Sequence, residues 1–239
     1  MRYIYGPLRS RRLGNSLGIN LTDYKTCSFD CVYCQLGKSI RKTQERKEYI
    51  SIEEIINELK AGIANHSFEV KDLDYITLSG SGEPVLNIKI EQAIKEIKSL
   101  TNLPIAILTN ASLLKDPSVR PAVQGVDLIV PSLDAVTQEI FEKINRPCPG
   151  INIKDIINGL IDLRKEFRGK IWLEIMLVRG INDDLRHIRK LKEVIDNISP
   201  DEIHLNSPVR AAAEMEISAV TKNKIEKIKR LLGDRCRIV

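Results

Sequence analysis

The sequence predicts an α/β protein in which six parallel strands alternate with helices and curl into a partly open, six-unit barrel. Three observations carry that prediction. Short β-branched, apolar runs recur along the 239-residue chain, and longer stretches between them carry apolar residues at helical spacing. The two kinds of segment alternate, which is the pattern of right-handed strand–helix–strand units around a parallel sheet. The periodic segments are too few for an eight-unit barrel.

In chain order, the first expected strand is 17–22. Ile52, Ile55, Ile56, Leu59 and Ile63 then form a stripe at helical spacing, with Ser51 and Glu54 spaced as a capping box at its start. A second strand is expected at 75–79, a helix from Ile88 to Leu100, and strands at 105–109 and 128–132. Ile153, Ile156, Ile157, Leu160 and Ile161 mark the next helix, which closes near Gly169. A strand at 171–178 follows, then a helix carrying Ile188, Leu191, Val194 and Ile195 that stops before Pro200. The sixth strand is 202–206. A last helix carries Ile225, Ile228, Leu231 and Leu232, with Gly233 placed as its C-cap. No low-complexity linker interrupts the series, so one domain is expected over 1–239, with a short N-terminal extension over about 1–16.

Apolar residues make up 43% of the chain and charged residues 29%, as in ordinary globular proteins. Aromatics reach only 5%, so the core is expected to be Ile, Leu and Val. No apolar run approaches membrane-spanning length, and Met1-Arg2-Tyr3-Ile4-Tyr5-Gly6 does not open a signal peptide. A cytoplasmic location without a membrane partner is therefore expected. The net charge of +5 is uneven: residues 1–50 hold ten Lys and Arg against four Asp and Glu. That excess suits a polyanion, an anionic ligand, or simply a solvated surface.

Cys27, Cys31 and Cys34 stand in a C-x3-C-x2-C spacing directly after the first expected strand. Iron–sulfur clusters are normally held by four cysteines, and structural zinc by four cysteine or histidine ligands. Three thiols in one loop leave a position open for a reacting molecule. An incomplete zinc site, or a loop that is merely cysteine-rich, remains an alternative. Cys148 and Cys236 lie far from the trio, and the odd count argues against a disulfide framework. In sheets of this kind chemistry gathers at the carboxyl ends of the strands, where this loop falls. After the second strand comes Ser79-Gly80-Ser81-Gly82-Glu83-Pro84, by itself a tight turn that opens the next helix.

Taken together, the cysteine loop after the first strand and the Gly-Ser-Gly-Glu-Pro segment after the second resemble the radical S-adenosylmethionine (SAM) superfamily. Ser81 stands at the first glycine of that superfamily's Gly-Gly-Glu-Pro motif. The resemblance implies a partial (β/α)6 TIM-like barrel, the radical SAM core. It also implies a [4Fe-4S] cluster on Cys27, Cys31 and Cys34 whose fourth iron is chelated by SAM. It implies SAM contacts from Ser81, Gly82, Glu83 and Pro84, and from Tyr33, the aromatic residue before the last cysteine. Phe29 and Tyr33 equally suit packing of the loop against the barrel.

By the same resemblance, polar residues at the other strand ends contact SAM or substrate: Asn110, Ser132, Asp134, Glu174 and Asn206. Each has a structural alternative as a cap or turn residue. Glu174 sits between apolar neighbours, where a charge is costly to bury without a partner. Arg9, Arg11, Arg12, Arg146, Arg179 and Arg210 are expected in loops, where a guanidinium fork suits phosphate or carboxylate and surface solvation is the default. Cys148 reads as a structural residue, with a substrate-side thiol as the alternative, and His66, His187 and His204 show no ligand spacing.

The segments 5–14, 173–178 and 205–210 further resemble a group of short radical SAM proteins related to the wyosine-synthesis enzymes, which modify transfer RNA. Those enzymes carry a further cysteine set, whereas the first 26 residues here contain none. The resemblance implies an unidentified substrate, with transfer RNA or a nucleotide as one reading, and an external one-electron donor of the flavodoxin or ferredoxin type. An enzyme acting on a protein, such as a glycyl-radical activase, is a second reading. A non-catalytic iron–sulfur or zinc-binding module is a third.

Overall fold

The computed structural model describes residues 1–208, 213–214 and 216–239; Arg210, with the preceding Val209, lies outside the described residues. In chain order the elements are β1 (Ile4–Ser10), β2 (Gly14–Ile19), β3 (Thr26–Cys27), β4 (Arg41–Lys42), α1 (Ile52–Ala64), β5 (Tyr75–Leu78), α2 (Ile90–Leu100) and β6 (Ile105–Thr109). They continue with β7 (Leu128–Pro131), α3 (Gln138–Asn145), α4 (Ile153–Glu166), β8 (Lys170–Met176), α5 (Leu185–Ile198), β9 (Glu202–Asn206), α6 (Lys222–Leu232) and β10 (Cys236–Ile238).

The main sheet runs β1-β2-β5-β6-β7-β8-β9-β10, and from β2 onward every pairing is parallel. The six expected strands are β2 and β5 to β9, in sequential order, which is the partial barrel; the first lies at Gly14–Ile19 rather than 17–22, and the fifth ends at Met176 rather than 178. Two edge strands are not legible in the sequence. β1 pairs antiparallel with β2 and breaks register between Tyr5 and Leu8. Its Gly6 and Pro7 spoil the strand signal, yet an edge with a bulge tolerates proline. β10 has only three residues. The barrel stays open between β1 and β10.

The period of two along each strand divides the apolar residues between two cores. Ile76, Leu78, Ile105, Ile107, Ile129, Leu173 and Ile175 join the large core beneath the helices. Residues of opposite parity point inward: Leu13, Ala106, Leu128 and Val130 form a separate small core, with Tyr75, Leu108 and Trp172 against it. Tyr75, Ala106, Leu128 and Trp172 lie in the amino-terminal halves of their strands, and with Val130, Leu108 and the turn residue Leu13 they floor the barrel interior.

Two local expectations change. Ser51 is the N-cap of α1 but makes no side-chain capping bond. Glu54 instead accepts from the Tyr3 hydroxyl, and Glu48 accepts from the Ile52 N–H at 3.3 Å. The second helix begins at Ile90 rather than Ile88, because Ile88 donates its N–H to the Lys47 carbonyl beside the Lys47–Asn87 bridge. α3 is not expected from the sequence; its eight residues carry only Ile140, Phe141 and Ile144 as an apolar stripe. Gly233 caps α6 with φ +95°. Among the described residues no helix is long and apolar enough to cross a membrane.

Candidate functional site

The cysteine loop leaves the top of β2 and is clamped from two sides. On one side lies the turn after β5. The Lys25 N–H donates to the Ser81 carbonyl at 2.6 Å, and the Glu83 N–H donates to the Thr26 carbonyl at 3.1 Å. Gly82 is pressed so close that a Cβ there would fall 1.8 Å from the Thr26 carbonyl oxygen. On the other side lies the end of α3. The N–H groups of Asp30, Val32 and Cys148 donate to the carbonyls of Asn145, Ile144 and Ser28. Within the loop, Phe29 and Val32 are buried, and Phe29 packs edge-on to Phe141 with ring centroids 5.3 Å apart. Phe29 therefore serves packing.

The thiols of Cys27 and Cys31 receive amide donors. Asn110, at the end of β6, points its Nδ2 at Cys27 Sγ (3.4 Å) and at Ser28 Oγ (2.8 Å). Asn145, the last residue of α3, points its Nδ2 at Cys31 Sγ (3.4 Å) and at Asp134 Oδ2 (2.7 Å). The Phe29 N–H is 3.5 Å from Cys27 Sγ. Burial, with Glu83 nearby, pushes the Cys27 thiol up to about 12. Burial, with Asp134 and Cys27 nearby, pushes Cys31 well above its ordinary value. Metal binding must therefore displace protons here, as thiolate ligation generally does.

Three soft thiols on one loop, with amide N–H groups aimed at two of the sulfurs, suit a [4Fe-4S] cluster, whose potential such hydrogen bonds tune. Among the described residues no three His, Cys, Asp or Glu side chains gather closely enough to hold a single metal ion. Cys148 is buried and borders a different, open hollow beside Arg146 and Pro149. Cys236 is buried on β10.

Two carboxylates brace the loop from beneath. Glu83 accepts from Thr109 Oγ1 (2.6 Å), the Asn110 N–H (2.7 Å) and the Val85 N–H (3.2 Å). Pro84 follows as the first residue of a buried 3-10 turn. Burial pushes Glu83 up to about 7 despite those three donors. Asp134 accepts from the Tyr33 hydroxyl, from Asn145, and from the Met176 N–H at 2.7 Å. Burial pushes it up to about 6, with Tyr33 and Asn145 pulling the other way. Ser81 donates both its N–H and its hydroxyl to Asn20 at 2.8 Å. Ser132 bridges in register with Glu174 and borders a small void shared with Asn110 and Asp134.

Beside the loop, the barrel holds a cavity of ≈ 540 Å³. Of the expected site residues, Tyr33, Cys34, Glu174 and Asn206 line it. Cys27, Cys31, Glu83, Asn110, Ser132 and Asp134 sit behind that wall, in the network that holds the loop. Glu174 has the partner its burial demands, an ion pair with Arg12, and also accepts from Asn206 Nδ2 at 3.3 Å. Three contributors are not singled out by the sequence: Asn145, Thr109 and the bracing of Asn20. Their roles depend on which loop the fold brings beside them, and no local spacing announces them.

The family model of the radical SAM superfamily matches residues 21–191. A UPF0026 protein of Methanocaldococcus jannaschii is 36% identical over 233 residues, covering 98% of this chain and 71% of that protein. A Brachyspira hyodysenteriae protein named GTPase Obg is 38% identical over 235 residues, but the chain spans only 34% of its length. Among solved structures, that of TYW1 with a lysine–pyruvate adduct superposes with a TM-score of 0.68 at 20% identity, over 91% of this chain and 72% of that one; at that identity it shows a shared fold. From the family match and the extent of the shared sequence, the chain belongs to the radical SAM superfamily and is a relative of the UPF0026 proteins.

Proposed function

We propose that this chain is a radical SAM enzyme acting on a nucleotide or RNA substrate. Cys27, Cys31 and Cys34 hold the cluster, and the barrel cavity receives SAM and the substrate. The carrying observation is the juxtaposition of one three-thiol loop, braced by Asn110 and Asn145, with a cavity of ≈ 540 Å³ that Tyr33 and Cys34 border directly. When bound, a reduced [4Fe-4S] cluster and SAM supply a 5′-deoxyadenosyl radical for hydrogen abstraction. The chain's own residues supply position, sulfur hydrogen bonds and a largely apolar floor. The nucleotide reading draws support from the surplus of ten basic over four acidic residues in 1–50 and from the resemblance to the wyosine group.

Anaerobic reconstitution with iron and sulfide, followed by dithionite and SAM, is expected to yield 5′-deoxyadenosine. Cys31→Ala should abolish it. A reconstituted protein that binds iron yet releases no 5′-deoxyadenosine would overturn the enzyme reading. Retention on transfer RNA at low salt, lost steeply as salt rises, supports the RNA substrate; no retention at low salt refutes it.

A further inference from the structure

The β1–β2 hairpin places three arginines, Arg9, Arg11 and Arg12, on the wall of the barrel cavity. Among the described residues that line the cavity, Glu174 is the one carboxylate, so guanidinium charge exceeds carboxylate charge there by two. The commitments of the three differ. Arg12 is inside, only 17% exposed, and is paired with Glu174. Arg11 reaches across the barrel's open seam, donating to Asn206 Oδ1 at 3.2 Å and to the backbone oxygen of Val239 at 2.9 Å. Arg9 pairs with Asn15 through its backbone, and its guanidinium has no hydrogen bond or ion pair among the described residues.

Four other polar side chains of the wall are bonded in pairs. Ser16 and Thr77 bond to each other at 2.5 Å, and Tyr5 bonds to Ser79 at 2.7 Å. The floor is formed mainly by apolar side chains, and the carboxylate beside it, Glu202, is engaged by His204 and Arg237. The described wall therefore carries an excess of cationic charge. A guanidinium presents a planar fork that meets a carboxylate or phosphate in two parallel hydrogen bonds. In a partly enclosed chamber the attraction is stronger than at an open surface.

We propose that the substrate carries an oxyanion, a phosphate or a carboxylate, which Arg9 and Arg11 bind at the hairpin side of the cavity. The Arg12–Glu174 pair anchors the hairpin in place. This rests on the reading that the cavity is the substrate's chamber.

Trp172 supplies a reporter, because it is the chain's single tryptophan and packs against the cavity floor. The full-length protein, both metal-free and reconstituted, is titrated with pyrophosphate, malonate, guanosine and SAM while tryptophan fluorescence is followed. A saturable response to pyrophosphate identifies a phosphate site, one to malonate a carboxylate site, and guanosine should give none. Arg9→Gln should weaken the responding anion about tenfold, the size of one lost charge-assisted hydrogen bond. Arg168→Gln, which removes an exposed cation outside the cavity, should leave that affinity unchanged. No saturable response to either anion overturns the proposal, as does equal affinity in Arg9→Gln and wild type. Weakened SAM binding in Arg9→Gln, with neither anion bound, also overturns it by assigning the arginine to SAM. The 5′-deoxyadenosine assay on the same wild-type sample separates the two failures: SAM cleavage without anion binding sinks this inference alone.

Discussion

Asn145 donates its side-chain amide to the sulfur of Cys31 at 3.4 Å, from the last residue of a helix that begins more than a hundred positions after the cysteine loop. Asn110 does the same for Cys27. Hydrogen bonds to cluster sulfurs stabilise the more negative, reduced state. Asn145→Ala and Asn110→Ala should therefore each lower the cluster's reduction potential. The drop is on the order of 50 mV if one such bond contributes about 1 kcal/mol to a one-electron couple. A redox titration of the reconstituted variants followed by electron paramagnetic resonance measures it. A potential that is unchanged or higher in both contradicts the assignment.

Gly82 and Gly150 make a matched pair. A Cβ on Gly82 would meet the Thr26 carbonyl at 1.8 Å, and backbone on both sides is pinned by hydrogen bonds. Gly150 has φ +85°, but nothing lies within 4 Å of where its Cβ would stand, so alanine there meets only backbone strain. Gly150→Ala should cost about 1 kcal/mol. Gly82→Ala should cost about 3 kcal/mol and reduce the iron retained on reconstitution. Urea unfolding and iron analysis test this, and equal penalties at the two sites would refute it.

Glu83 satisfies three donors at once, two of them on the strand end that carries Asn110. Truncation to alanine leaves the Thr109 hydroxyl and the Asn110 N–H buried without their acceptor, at about 1–3 kcal/mol. Glu83→Ala should therefore lose stability in the metal-free protein, before SAM is present. Glu83→Gln should lose less, because its carbonyl can still accept. Wild-type stability in the metal-free Glu83→Ala variant would confine the residue to ligand binding.

His204 faces the barrel interior with its ring 5.1 Å from that of Trp172. Its Nε2 lies 3.0 Å from Glu202 Oε2, and its Nδ1 is buried without a partner among the described residues. Arg12 and Glu174 are its other charged neighbours. Burial holds the imidazole below its ordinary value of 6.5, with Glu202 opposing. The unfolded chain then binds a proton more readily than the native one, so this residue makes the fold less stable as pH falls below about 6.5 toward the lower native value. Wild type and His204→Gln should be compared by urea unfolding at pH 7.5 and 5.5. The wild type's advantage should shrink on acidification; a gap that stays constant or widens would exclude the effect.

Much of this protein is legible from local sequence. The periods of 3.6 and 2 place the six barrel strands and five of the helices, because burial on one helix face or on alternate strand residues is a local demand. The spacing of Cys27, Cys31 and Cys34 and the turn through Gly82, Glu83 and Pro84 mark where we propose the chemistry sits. The edge strands escape because three residues, or seven broken by Gly6 and Pro7, carry too little pattern. α3 escapes for a similar reason, since eight residues show barely two turns of stripe.

What the sequence determined by itself is the barrel, the three-thiol loop and the superfamily. What only the tertiary structure decided is which side chains serve that loop. Asn145, Thr109 and Asn20 are ordinary polar residues until long-range contacts set them beside Cys31, Glu83 and Ser81. Arg12 reads as a loop arginine until the hairpin carries it onto Glu174. The physical reason is the same in each case. A buried thiol, carboxylate or guanidinium must find its partner in space, and sequence separation places no limit on where that partner comes from.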